Sequence, residues 1–172
     1  MPSVTSIVLS ASRRTDIPAF YMPWFMAQIK RGYFVRINPY NRRKSMVKVS
    51  PQSIHSIVFW SKNYGPLLEN EWDADLVRAG YPLFFNFTIN SPDRLLEPHV
   101  PPLSDRLGQL EALSRRHDPR AIAWRFDPIC FYHRQGRRVT NNLADFKSIA
   151  HKAAACGIRR WPGRGNRRPG AG

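Results

Sequence analysis

The run Leu83-Phe-Phe-Asn-Phe-Thr88 decides how the fold is read. Leu83, Phe84, Phe85 and Phe87 make it an apolar strand, while Asn86 and Thr88 stand two apart at its downstream end and share one face of an extended chain. A polar amide inside such a run needs a partner, whether ligand, water or a neighbouring strand's side chain. Working outward, four more apolar runs, at 7–10, 33–37, 57–60 and 121–126, close with a pair at i and i+2: Ser10 with Ser12, Arg36 with Asn38, Trp60 with Lys62, and Arg125 with Asp127. If these strands are parallel neighbours, the pairs converge on one polar spot, as α/β active sites do at strand ends.

The segments between the runs favour parallel pairing, because they carry helical rather than hairpin patterns. Pro18 suits a first helical turn, and Phe25, Met26 and Ile29 form a stripe that ends before Gly32. Leu68, Trp72 and Leu76 repeat at i+4 ahead of Gly80. Leu103, Leu107, Leu110 and Leu113 form the cleanest stripe, and Leu143, Phe146, Ile149 and Ala153 form another behind a cap at Asn141 or Asn142. The alternating run 45–49 reads as a short extra strand, with a brief helix after Ser50-Pro51, inside a decorated connection. The proline-rich stretch 90–102 reads as a long functional loop. Together these features predict an α/β fold of alternating β/α units with a parallel sheet. Five units are too few for a complete barrel, so the expectation is an incomplete TIM-like barrel; an open doubly wound five-stranded sheet is the alternative.

The chain has 172 residues, 27 Lys and Arg against 12 Asp and Glu, and a formal net charge of +15. That size fits one domain, assigned to 1–156. From 157 to 172 the sequence GIRRWPGRGNRRPGAG holds five of the ten glycines and five arginines with no acid, a composition that predicts disorder. An abrupt change of this kind is also what a reading-frame slip in a GC-rich gene produces. No apolar run reaches a membrane span and no secretory signal is present, so the cytoplasm is the expected location. Cys130 and Cys156 are too few for a zinc or iron-sulfur motif, and the five histidines show no ligand spacing, so no metal site is assigned.

The residues expected to bind an anionic small molecule at the strand ends are Arg13, Arg14, Asp16, Asn38, Asn41, Lys62, Asn63, Asn86, Thr88, Arg125 and Asp127. Arg13 and Arg14 precede a helix N-terminus and suit a phosphate or carboxylate, or else pin the loop against Asp16 or Asp127. Asp16 reads first as an N-cap. Lys62 is an anion anchor, Arg125 and Asp127 are one charged unit or a structural ion pair, and Asn38 and Asn41 equally suit a turn. No catalytic residue is assigned.

The motifs Ser10-Ala-Ser-Arg-Arg-Thr-Asp-Ile-Pro-Ala-Phe-Tyr21, Asn38-Pro-Tyr-Asn41, Phe59-Trp-Ser-Lys-Asn63, Phe85-Asn-Phe-Thr88, Leu96-Glu-Pro98, Val100-Pro-Pro102 and Trp124-Arg-Phe-Asp-Pro128 occur in this order. Together they resemble the bacterial family catalogued as domain of unknown function 1848, from about Ile7 to about Cys156. The resemblance implies a longer intact protein ending in a cysteine cluster similar to that of radical S-adenosylmethionine enzymes. It therefore implies an iron-sulfur cluster and S-adenosylmethionine for the family, neither of which can be placed on a residue of this chain. Three functions follow as expectations: the inactive N-terminal part of such an enzyme, a basic nucleic-acid-binding protein, or a non-catalytic small-anion-binding domain.

Overall fold

The computed structural model describes residues 6–12, 15–133 and 139–160. Along the chain these form β1 (Ile7–Ser10), α1 (Ile17–Phe20), α2 (Met22–Arg31), β2 (Tyr33–Ile37), β3 (Lys44–Lys48), β4 (Ile54–Ser61), α3 (Gly65–Glu69), α4 (Trp72–Arg78), β5 (Leu83–Thr88), α5 (Leu103–Arg116), β6 (Ile122–Arg125), β7 (Phe131–His133), β8 (Val139–Asn141) and α6 (Phe146–Ala155). Strands β1, β4, β5 and β6 make one parallel sheet in that order. The order follows the chain without reversal, so the described strands contain no switch point of the doubly wound kind.

Among the described residues, helices pack on one face of the sheet. Ile57, Phe59 and Ser61 register against Leu83, Phe85 and Phe87, and the last two register against Ile122 and Trp124. These side chains are buried with Phe25, Leu67, Leu76, Leu110, Leu113 and Ile149 of the helices, and each aromatic buried there contributes about 1.5–3 kcal/mol. The alternate residues Ser10, Val58, Trp60, Phe84, Asn86, Thr88, Ala123 and Arg125 share the other face, where Trp60 is 37% exposed. Four of the five polar pairs read from the sequence therefore follow strands that present the same face.

The fifth pair does not. The run 33–37 is extended as expected, but β2 pairs antiparallel with β3 and stays outside the parallel sheet, which has four strands instead of five. The reason lies in the connection. Asn38 Oδ1 accepts from Tyr40 N at 2.9 Å, Asn41 Oδ1 accepts from Arg43 N at 3.1 Å, and Arg42 adopts φ 56°. A loop this short returns a strand antiparallel, whereas a parallel neighbour needs a crossover. The expected decorated connection is the second strand of a hairpin, and the residues after Ser50 form a turn, not a helix.

Two helical readings also change. The Leu68, Trp72, Leu76 stripe is split between α3 and α4, because Glu71 takes a left-handed φ of 54° between them. The last helix begins at Phe146, after Asp145, while Asn141 Oδ1 accepts from Leu143 N. Beyond α6 the β/α pattern continues: Ile158 is 6% exposed, and Arg160 forms a parallel bridge with Ala123 of β6. The remainder of the expected tail, 161–172, lies outside the described residues, as do Arg13 and Arg14. Cys130 and Cys156 are free and half-buried.

Candidate functional site

The site is built on the carboxyl end of the parallel sheet. Where the chain leaves β1, Asp16 caps α1: its Oδ1 accepts from Ala19 N at 3.1 Å, and Pro18 occupies the first turn. The other oxygen of the same carboxylate reaches β4, with Ser61 Oγ at 2.9 Å and Lys62 N at 3.4 Å from Oδ2. Ser61 Oγ also lies 2.8 Å from the Asn63 carbonyl, so its single proton serves one acceptor at a time. Asp16 thus joins the ends of two adjacent strands as well as capping a helix. Burial raises its pKa above 3.8, against the lowering effect of the Ser61, Ala19 and Lys62 contacts.

That shift has a consequence for stability. As pH falls from the raised folded value toward 3.8, the native state takes up a proton that the unfolded chain does not yet hold, so Asp16 makes stability rise across that window. Asp16→Asn keeps a capping side chain and removes the titration. Urea unfolding across the acid range should show the wild type gaining stability relative to the variant as pH falls through the raised value. A pH-independent difference between the two proteins would refute ionised, desolvated Asp16.

Glu97, from the long connection between β5 and α5, is the hub of the site. Its Oε1 accepts from the Lys62 ammonium and, at 2.7 Å, from Asn90 Nδ2, and its Oε2 faces Arg106 Nη1 at 3.9 Å. Arg106 is only 1% exposed, and burial lowers its pKa against the opposing pull of Glu97. Asn90 continues the network, its Nδ2 donating to the Asp127 carbonyl at 3.0 Å and its Oδ1 accepting from Asp127 N at 2.8 Å. At β6, Arg125 Nη2 donates to Asp127 Oδ2 at 2.6 Å, and its guanidinium carbon lies 4.8 Å from the Trp60 ring centroid. Tyr64, fully buried, donates from its hydroxyl to the Asn86 carbonyl at 3.1 Å; burial pushes its pKa well above the phenol value, so it acts as a neutral donor.

Buried polar atoms without hydrogen bonds recur along this end of the sheet. Among the described residues, the buried side-chain atoms that make no hydrogen bond are Ser12 Oγ, Glu97 Oε2, Arg106 Nε and Nη1, and Arg125 Nε. Ser12 follows β1, Arg125 ends β6, and Glu97 and Arg106 flank the start of α5. Buried polar groups ordinarily find partners, and each one left over asks for an explanation. A cleft of about 100 Å³, lined by Lys62, Asn90, Glu97, Cys130 and Asn142 among others, opens at Glu97.

Of the expected site residues, the fold brings Asp16, Lys62, Asn86, Thr88, Arg125 and Asp127 to the sheet end. Asn63 stands there too, but its Oδ1 accepts from Gly65 N at 2.9 Å and Gln109 Nε2 at 2.9 Å, which ties α3 to α5. Asn38 and Asn41 shape the hairpin turn. Asn90, Glu97, Arg106 and Asn142 were not expected. Arg106 had a signal: it sits three residues after Leu103 and four before Leu110, on the apolar stripe of α5, where an unpaired cation does not belong.

A three-thiolate iron-sulfur cluster does not fit the residues present. The sequence has two cysteines, and the described residues contain no group of three or more His, Cys, Asp or Glu side chains placed to hold a metal ion. No described helix is long and apolar enough to cross a membrane. Searches of curated proteins and of solved structures gave no match. A protein-family comparison matches the domain of unknown function 1848 over residues 8–159. That span holds both the parallel sheet and the polar network at its end, and the chain belongs to this family.

Proposed function

We propose that the chain supplies the first β/α units of a barrel-type enzyme and binds an anionic small molecule at the carboxyl ends of β1, β4, β5 and β6. The observation that carries this reading is the set of buried polar atoms without hydrogen bonds along the carboxyl end of the sheet, from Ser12 after β1 to Arg125 of β6, together with the Arg106–Glu97 pair, whose facing atoms stand 3.9 Å apart. Lys62 and Arg125 supply the cationic groups for an anion; Glu97 positions Lys62, Asp127 positions Arg125, and the buried Arg106 holds Glu97 from behind. Chain-order strands with helices on one face, continued by the bridge at Arg160, support a barrel wall as the frame.

We further propose, on the family resemblance, that the intact protein is a radical S-adenosylmethionine-like iron-sulfur enzyme of the cytoplasm and that this chain is its N-terminal part, inactive by itself. The two cysteines of this chain do not make the cluster. What the sheet-end residues do is bind and orient. A non-catalytic anion receptor is the second reading, and saturable binding without turnover by a longer, cysteine-bearing member of the family supplied with iron and S-adenosylmethionine would favour it.

Calorimetric titration of the chain with inorganic phosphate, pyrophosphate and citrate tests the site. Loss of a charge-assisted hydrogen bond from Arg125 should weaken the preferred anion by roughly tenfold to a hundredfold in Arg125→Ala. Arg125→Lys keeps the charge but not the guanidinium donors and should recover only part of the affinity. Equal affinity in the wild type and Arg125→Ala, with both folded, would refute the site.

A further inference from the structure

We infer that the β2–β3 hairpin is a binding ribbon for single-stranded nucleic acid, with phosphates on its basic tip and a base held between Trp24 and Tyr40. Residues 17–68 contain eight Lys and Arg and no Asp or Glu. Five of the cations, Arg36, Arg42, Arg43, Lys44 and Lys48, lie on the hairpin, and all are exposed. Among the described residues no carboxylate pairs with any of them; Arg36 Nε donates to Ser45 Oγ at 3.3 Å across the ribbon. The hairpin is a two-stranded sheet with no third strand on either edge among the described residues. It therefore presents a concentrated positive field that the fold itself does not neutralise.

Aromatic side chains stand among these charges. Tyr40 at the tip is 95% exposed, and Trp24 on α2 is 51% exposed while its ring packs edge-on against Phe34 of β2 at 5.7 Å. Between them runs a groove of about 670 Å³, whose walls include Leu9, Ser10, Trp24, Phe34, Arg36 and Tyr40. That volume is within the range of ordinary ligand clefts. Cations that track a backbone beside aromatics on which bases stack are the two requirements for single-strand binding. A lipid surface fits less well: the segment that would enter a bilayer first is Asn38-Pro-Tyr-Asn-Arg-Arg43, which carries two guanidinium groups and one aromatic ring. The groove also borders Ser10 at the end of β1, so a strand bound there reaches the sheet end.

The test uses the full chain and a fluorescein-labelled oligothymidylate about 20 nucleotides long, followed by anisotropy over a range of salt. Wild type should bind with a steep salt dependence. R42Q/R43Q/K44Q should weaken binding at least tenfold and flatten the slope of log affinity against log salt by about 2, since each phosphate left unneutralised on a single strand removes about 0.7. Tyr40→Ala should weaken it by about tenfold with little change of slope, as removal of one stacking partner does. R164S/R167S/R168S, in the arginine-rich C-terminal segment, should bind as wild type does. Undetectable binding by wild type, undiminished binding by the ribbon variant, or abolished binding on changing the C-terminal arginines each overturns the inference. So does preferential binding to phosphatidylserine vesicles. Circular dichroism keeps a fold defect from being read as a binding defect, and the Tyr40 variant, at a fully exposed side chain, provides an independent arm.

Discussion

Replacing Glu97 with alanine is expected to lower the unfolding free energy by about 3–5 kcal/mol, the usual result of removing one partner from a buried charge pair. The magnitude comes from Arg106, which is 1% exposed and has Glu97 as its carboxylate neighbour at 3.9 Å. Lys62 is 36% exposed, so its interaction with the same carboxylate is screened and adds at most about 1 kcal/mol. Against a total stability of about 5–15 kcal/mol, this is among the largest losses a single substitution can produce. A second variant separates the two cations. If Arg106 sets the cost, E97A/R106M should recover most of the loss, because an apolar side chain of similar length replaces the stranded guanidinium. Urea unfolding of wild type, E97A, R106M and the double variant closes the cycle. A loss below about 0.5 kcal/mol in E97A would mean that Arg106 is solvated in the native state. The same substitution frees the 90–102 connection from the sheet end, so anion affinity should fall along with stability.

That Glu97 was not anticipated says where sequence reading loses reach. Strand β5 was legible because its apolar residues and its Asn86 and Thr88 pair are local facts, and the register of β4, β5 and β6 preserves the parity those facts require. The pairs at Trp60, Asn86 and Arg125 therefore meet on one face. Run 33–37 carried the same local pattern, but its partner is chosen by the turn at 38–43, where two Asx contacts and a left-handed Arg42 close a hairpin. Periodicity does not encode that choice. The i+4 stripe across Leu68, Trp72 and Leu76 likewise predicts a continuous helix, and only the backbone at Glu71 breaks it. Loop residues were harder still. Glu97 and Asn90 act through partners 35 and 37 residues away, at Lys62 and Asp127, and no spacing rule links them. Arg106 is the exception, since an arginine on an apolar stripe asks for a buried counter-charge.

The acid limb of the stability profile should belong to Asp73 at the opposite extreme of behaviour from Asp16. Asp73 lies in the first turn of α4, 1% exposed, with His117 Nε2 at 2.9 Å and Arg116 Nη1 at 3.2 Å. Arg116 Nη1 also donates to the Leu68 carbonyl at 3.0 Å, so this cluster joins α3, α4 and the end of α5. Burial is the largest single influence on the carboxyl and opposes ionisation, but the His117 hydrogen bond and the Arg116 and His117 charges together outweigh it, and the pKa is held below 3.8. The sign follows from linkage: a depressed folded pKa contributes stability that is fully present above 3.8 and is lost as pH falls through the folded value. At neutral pH, Asp73→Asn should cost about 1–3 kcal/mol, most of it from the buried hydrogen bond to His117 because Arg116 is 40% exposed. As the medium is acidified below 3.8, the wild type should lose stability faster than the variant, and their unfolding curves should converge. A gap that persists undiminished in strong acid would show that the Asp73 contacts stabilise the native state without its charge, and the linkage argument would fail.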